Sequence, residues 1–249
     1  MQEQGQVNFG FLTTIDSPLL PHYLAAAQAS HVTNIHVLCD AKLISEKDRR
    51  IWVERTGGIF DAKNATNPTL HDLGNLQIPF YFVDSHNSEM SLALINRLNI
   101  NCLFNAGTPR KLSASLLASV KHGIVNVHPG LLPAYRGCSA VEWAISNNDK
   151  IANTAHFMSE GYDTGPIIAT ESYEFPKDAD YQAIRNKVYQ AGCSLAGRVL
   201  SVIQNTKMTP DDATAQDEVS AHYWDPIPDE QMAKVLEKIS ARAYKYQRL

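Results

Sequence analysis

The chain alternates short apolar runs with longer segments in which apolar positions recur every three or four residues. Val7 to Thr13, Val32 to Cys39, Phe80 to Val83, Asn101 to Ala106 and Gly123 to Val127 are brief and rich in β-branched or aromatic residues, the signature of buried strands. Between them, Ser17-Pro18 reads as an N-cap and N1 pair that opens an Ala-rich helix to about Ala29. Ser45 to Arg55 is a charged amphipathic helix broken by Gly57-Gly58, and Ser88 to Leu98 and Leu112 to Val120 have helical spacing. Residues 60–77, rich in Asn, Asp and Pro, read as loop with one helical turn. Alternation at this spacing predicts βαβ units, and so an α/β, mostly parallel, doubly wound sheet with helices on both faces.

The pattern changes in the second half. Ser139 to Ser146 is a short helix, and Thr154 to Met158 and Ile167 to Phe175 are strands separated by the turn Gly161 to Pro166. Two strands in such close succession predict an antiparallel finish to the sheet. A long helix follows from Tyr181 to about Gln204, then a polar link over 206–215, Tyr223-Trp224-Asp225-Pro226, and a helix from Pro228 to about Tyr246. The expected division is a catalytic domain over 1–205 and a C-terminal extension over 206–249. The extension reads as a strand or hairpin and a helix, packed on the core or at a dimer interface.

Charge and cysteine content narrow the partners. A formal net charge of −4 over 249 residues gives no global attraction to nucleic acid. The basic run Lys47-Asp48-Arg49-Arg50 is itself interrupted by an acid. Cys39, Cys102, Cys138 and Cys193 are far apart and form no C-x-x-C pair, so reduced thiols and no metal are expected. Met1 to Val7 is polar, and no apolar run approaches the roughly 18 residues of a membrane span. The reading is a cytoplasmic protein with no membrane partner.

In a doubly wound sheet, chemistry collects beyond the carboxyl ends of the strands. Asn126 and His128 fall at one such end, and Gly107 to Arg110 at another. An amide aimed at a carbonyl oxygen stabilises negative charge without changing its own protonation. An imidazole two residues along an extended strand points to the same side and is able to carry a proton near neutral pH. Asp163 stands in the turn Glu160-Gly161-Tyr162-Asp163-Thr164-Gly165-Pro166, where a carboxylate near His128 is placed to share a proton. Each residue alone serves ordinary hydrogen bonding as readily. His156 fits a core role and a substrate-facing one equally, and Cys138 reads as structural.

The motifs taken together are more specific. Asn126-Val127-His128-Pro129-Gly130-Leu131-Leu132-Pro133, with Asp163-Thr164-Gly165-Pro166 and Ala106-Gly107-Thr108-Pro109-Arg110-Lys111-Leu112-Ser113, resembles the formyltransferase family that uses 10-formyltetrahydrofolate. The resemblance runs from about residue 80 to 175, with a looser match before it. It implies a Rossmann-like formyltransferase fold in which Asn126, His128 and Asp163 are catalytic. It also implies that Arg110, Lys111 and Leu112 hold the folate largely through backbone groups, together with Ser159, Glu160, Gly161 and Tyr162. The implied reaction is direct transfer of the formyl group to a primary amine, with no covalent enzyme intermediate and no metal.

Three acceptors compete. Purine-pathway members of the family cradle a ribonucleotide phosphate in a Gly-rich turn after the first strand. Here Leu12 to Pro18 has no Gly and carries Asp16. The enzymes that formylate initiator tRNA carry a further domain, and their substrate suits a basic surface. The stretch Ala215-Gln216-Asp217-Glu218 with His222-Tyr223-Trp224 is similar to a Gln- and Tyr-bearing strand of the sugar and tRNA enzymes. The expected acceptor is therefore a nucleotide-linked amino-deoxysugar destined for a surface polysaccharide. Arg136, Tyr223 and Trp224 are candidate substrate-binding residues, set against readings of surface charge and packing. A homodimer is expected from the sugar enzymes. Phosphoribosylglycinamide formyltransferase and formyltetrahydrofolate hydrolase are the alternatives; the hydrolase would use the same three residues with water as acceptor.

Overall fold

The computed structural model describes residues 5–57 and 77–248. The loop expected over 60–77 lies, but for Gln77, outside them. Strands β1 (Phe9–Thr14), β2 (Ile35–Asp40), β3 (Phe80–Val83), β4 (Cys102–Asn105) and β5 (Ile124–His128) pair in parallel in the order β3-β2-β1-β4-β5. Antiparallel β7 (Ile151–Phe157) and β8 (Ile167–Tyr173) continue from β5 to complete a seven-stranded sheet. The mostly parallel sheet with an antiparallel finish is the architecture the hydrophobic pattern predicts.

Side chains alternate across the pleat, and the two faces bury different partners. Phe9, Phe11, Val37, Phe104 and Val125 join one apolar cluster with α1 (Leu20–Ala29) and α6 (Tyr181–Thr206). Leu12, Leu38, Leu103 and Ile124 join another with Ile95 of α3 (Glu89–Arg97) and Leu116 of α4 (Ala114–Leu117). Each large side chain buried this way contributes about 1.5–3 kcal/mol. A third cluster links α5 (Ala140–Ser146) and α6 to Val235 and Ile239 of α7 (Asp229–Ser240), and to Tyr244 and Tyr246. The C-terminal segment thus shares a core with the central helices.

Local chemistry sets the helix ends. Ser45 and Ser88 cap α2 (Glu46–Thr56) and α3 by accepting from Asp48 and Ser91 N–H, and Asp180 caps α6 by accepting from Ala183 N–H, about 1 kcal/mol apiece. Ser17 does not cap α1, which begins at Leu20; its hydroxyl instead donates to the Ala106 carbonyl at 3.2 Å. The helix expected over 112–120 is the single turn of α4, because Ser113 caps it and the chain turns again at Ala118. The last helix stops at Ser240 rather than near Tyr246, where Arg242 adopts a left-handed φ of 56°. Among the described residues the extension forms no hairpin of its own. Its strand β9 (Tyr223–Trp224) pairs in parallel with β6 (Arg136–Gly137), just beyond β5. Among the described residues no helix is long and apolar enough to cross a membrane.

Helices α1 and α6 approach closely where Gly197 faces Ala26. A Cβ added at Gly197 would lie 2.4 Å from the Ala26 carbonyl oxygen, so backbone must move. Gly197→Ala is expected to lower stability by about 1–3 kcal/mol in urea unfolding. Gly5→Ala, which meets nothing within 4 Å, is expected to leave it unchanged. Equal midpoints for the two variants would show that the two helices are not in close contact.

Candidate active site

Beyond the carboxyl end of β5, strand geometry sends Asn126 and His128 to one side of the sheet, and the register of β7 sets His156 directly opposite Asn126. The turn between β7 and β8 then brings Asp163 back over both. Asp163 adopts a left-handed φ of 57°, a conformation Asp tolerates better than most residues. Its Oδ2 lies 3.4 Å from His128 Nδ1 and its Oδ1 lies 3.7 Å from His156 Nε2. The backbone N–H of Gly137 donates to Oδ2 at 2.9 Å. The turn is held from outside as well, because Gln216 Nε2 donates to the carbonyls of Asp163 at 2.8 Å and Gly165 at 2.7 Å.

The two histidines differ in state. His156 Nδ1 faces the Phe157 carbonyl at 2.9 Å and Nε2 faces Asn126 Nδ2 at 3.1 Å. A carbonyl only accepts, so the proton sits on Nδ1 and Nε2 accepts from the amide. Burial pushes His156 down to about 4; neighbouring Asp163 opposes this shift, and His128 and Arg136 reinforce it. The ring is thus a neutral acceptor at physiological pH. His128 is 5% exposed, and its Nε2 lies 2.6 Å from the Tyr135 carbonyl, which requires a proton there. The close fit needs Gly130, where a Cβ would fall 2.5 Å from His128 Nε2 and 2.6 Å from Tyr135 O.

Asn126 is fixed at its other end by Asn105, whose Nδ2 donates to Asn126 Oδ1 at 3.0 Å. Asn105 is absent from the expected site. The signal for it was a polar residue ending an otherwise apolar strand, one strand away from Asn126. His156, left open between core and substrate, is buried and bonded to Asn126.

The stretch expected to hold a folate forms the neighbouring wall. The Arg110 guanidinium is turned away, donating to Asp40 at 2.5 and 2.8 Å and to the Asp84 carbonyl at 3.1 Å. Burial would raise the Asp40 carboxyl, yet the Arg110 bonds and the N–H groups of Lys42 and His86 hold it at about 2. Lys111 and Leu112 follow, with Leu112 buried and the Lys111 carbonyl accepting from Asn87. Across from them run Ser159, Glu160, Gly161 and Tyr162. Ser159 Oγ shares a hydrogen bond with Thr164 Oγ1, and the exposed Tyr162 ring lies 5.3 Å from Lys111 Nζ. The two segments therefore meet where Lys111 faces Tyr162.

The acceptor-side candidates separate. Arg136 is buried, and its guanidinium is engaged by Gln216 Oε1 and the Glu218 carboxylate at 2.7–3.0 Å. Trp224 packs on Tyr135, Trp143 and His222 and donates from Nε1 to the Ala134 carbonyl. Both serve the protein's own structure. Tyr223 alone is open, 51% exposed, with its ring against Gly137, whose N–H donates to Asp163. Among the described residues no group of three or more His, Cys, Asp and Glu side chains is placed to hold a metal ion.

Comparison with known proteins adds to this geometry. The family model described as formyl transferase matches residues 18–200. A methionyl-tRNA formyltransferase of Caldanaerobacter subterraneus subsp. tengcongensis is 29% identical over 126 residues, 50% of this chain and 41% of that protein. The chain spans about two fifths of the length of the curated relatives it matches. Glycinamide ribonucleotide transformylase 1 from Symbiobacterium toebii superposes with a TM-score of 0.60 at 16% identity, over 85% of this chain and 93% of that one. An N-formyltransferase from Helicobacter canadensis, solved with folinic acid and dTDP-3-aminofucose, gives 0.59 at 15% identity, over 88% and 70%. At these identities the structural likeness is one of fold.

The state of His156 has a consequence for stability. Its ordinary value is 6.5 and its folded value about 4. Between these the unfolded chain binds a proton that the folded chain refuses, so stability falls as pH drops through this window and is not lost further by this group below it. Urea unfolding at pH 7 and pH 4.5 is expected to show a smaller difference for His156→Gln than for the parent. An equal difference would mean that His156 is protonated in the folded protein.

Proposed function

Because the chain belongs to the formyl transferase family, we propose that it moves a formyl group from 10-formyltetrahydrofolate to the primary amine of a nucleotide-linked amino-deoxysugar. The observation that carries the transfer reading is the convergence of Asn126, His128 and Asp163 beyond the end of β5, with Asp163 within 3.4 Å of His128.

Each group has a task that its surroundings suit. Asn126 keeps one amide N–H on His156 and offers the other to the formyl oxygen, where negative charge grows as the amine attacks; one such donor is typically worth about 3–4 kcal/mol in a transition state. His128, with Nε2 held by the Tyr135 carbonyl, contributes positive charge beside that oxygen and a proton path through Nδ1 to Asp163. Asp163 accepts the proton that the amine sheds, directly or through water. The amine attacks as the free base and forms the new C–N bond. The bond from the formyl carbon to N10 then breaks, N10 takes up a proton in balance with the one the amine sheds, and tetrahydrofolate leaves. The folate is assigned to the two segments that meet where Lys111 faces Tyr162. The side chain of Arg110 is engaged elsewhere, which suits contacts through the backbone of 110–112.

The choice of acceptor rests on the turn after β1. There Asp16 accepts from Ile44 N–H at 3.2 Å and from Arg49 at 2.7 Å. A carboxylate in that turn, in place of free glycine N–H groups, disfavours a bound phosphate. This weighs against a phosphoribosyl acceptor. Tyr223, open beside Asp163, is the candidate contact for the sugar or its nucleotide.

Two measurements test the reading. Amino-sugar nucleotides, glycinamide ribonucleotide and charged initiator tRNA, each incubated with 10-formyltetrahydrofolate, are expected to show a gain of one formyl group by mass spectrometry only for an amino-sugar nucleotide. A formyl gain on glycinamide ribonucleotide or tRNA alone, or formate release without an amine, would replace the acceptor. Asn126→Ala and Asp163→Asn are each expected to lower turnover at least about 100-fold with urea midpoints near the parent's. Parental rates in both variants would remove these residues from the chemistry.

A further inference from the structure

The Asn126 carboxamide is useful to an oxyanion only if its N–H groups, and not its carbonyl, face the reacting atom. Strand geometry fixes where the side chain lies but not which of its ends points where. Two anchors of known polarity bracket it. On one side, Asn105 Oδ1 accepts from the backbone N–H groups of Gly107 at 3.1 Å and Thr108 at 2.9 Å, closing a turn on its own backbone. Those donors commit the Asn105 carbonyl end, so its amino end must face Asn126, where Nδ2 donates to Oδ1 at 3.0 Å. On the other side, the Phe157 carbonyl commits His156 to a proton on Nδ1, leaving Nε2 to accept from Asn126 Nδ2. The chain of bonds runs in one direction, from backbone N–H through two amides and an imidazole to a backbone carbonyl. Neither end is free to reverse.

We propose that Asn105 is a positioning residue of the formyl-transfer site, holding the Asn126 amide so that its remaining N–H points at the formyl oxygen. This rests on the reading of Asn126 as the oxyanion donor. Leu12 of β1 lies beside Asn105 in the parallel pairing, and β4 is otherwise buried and apolar. A leucine at position 105 would suit the strand equally well, and it would leave the amide unaligned. The polar residue makes sense through its partner on β5.

Asn105→Asp is the informative change. A carboxylate still accepts from Gly107 and Thr108 N–H but has no hydrogen to give Asn126. The Asn126 amide is then expected to turn its amino end toward position 105 and its carbonyl toward His156, which must carry a proton on Nε2 as well as the one the Phe157 carbonyl holds on Nδ1. Nitrogen-15 spectra of histidine-labelled protein read this directly. The parent is expected to show His156 with its only proton on Nδ1, and Asn105→Asp to show both nitrogens protonated, with titration moved to higher pH. The variant's kcat is expected to fall at least 10-fold, with KM for both substrates within about threefold of the parent. A His156 that keeps the parental tautomer in the variant, or a parental kcat, overturns the proposal. A parent in which His156 already carries its proton on Nε2 overturns it too, and needs no variant to fold. The spectra do not depend on turnover. A parent without formyl transfer but with the expected tautomer would thus refute the functional reading while upholding the orientation of the amide.

Discussion

The register between β5 and β7 is the constraint from which the site follows. Antiparallel pairing sets Asn126 opposite His156 and His128 opposite Thr154, and a slip of one residue in β7 would send His156 and Thr154 to the other face. Thr154 fixes the neighbouring loop: its hydroxyl donates to the Gly130 carbonyl at 2.7 Å and accepts from Leu132 N–H at 3.2 Å. The loop, so held, returns the Tyr135 carbonyl to His128. One ladder of backbone bonds therefore positions the amide, both imidazoles and the acceptor that sets the proton on one of them.

The electrostatics follow from burial as much as from contact. His156 and His128 lie against the same carboxylate, yet they are put to opposite uses. The first is deeply enclosed and bonded by a carbonyl and an amide, so it stays neutral. The second is bonded by a carbonyl on one side and approached by Asp163 on the other. At the neighbouring strand ends, the Arg110 guanidinium is paired with Asp40.

Much of this was legible in the chain, and the physical reason for each success or failure is specific. The strands could be read because parallel strands buried on both faces are continuous apolar runs. Asn126 and His128 could be read as neighbours because side chains two apart on a strand share a side. The meeting of Asp163 with them came from family resemblance, since no local rule brings a turn 35 residues on back to β5. Asn105 was missed because its bonds run between strands, and sequence spacing carries no strand order. Arg136 and Trp224 were plausible substrate contacts by residue type. Their partners Gln216, Glu218, Tyr135 and Trp143 are assembled only when β9 pairs with β6. Ser17 had the composition of a cap, but its hydroxyl donates to the Ala106 carbonyl instead of accepting from a helix N–H.

Gln216 grips the carbonyls on both sides of the Asp163 turn while its own oxygen is held by Arg136, so the tail of the chain acts as a splint on the reactive loop. Proteolytic nicking within 206–215 would leave Asn126, His128 and Asp163 covalently in place. It would nonetheless unmoor the one carboxylate that depends on this brace, and damage far from the pocket would look like a chemical defect.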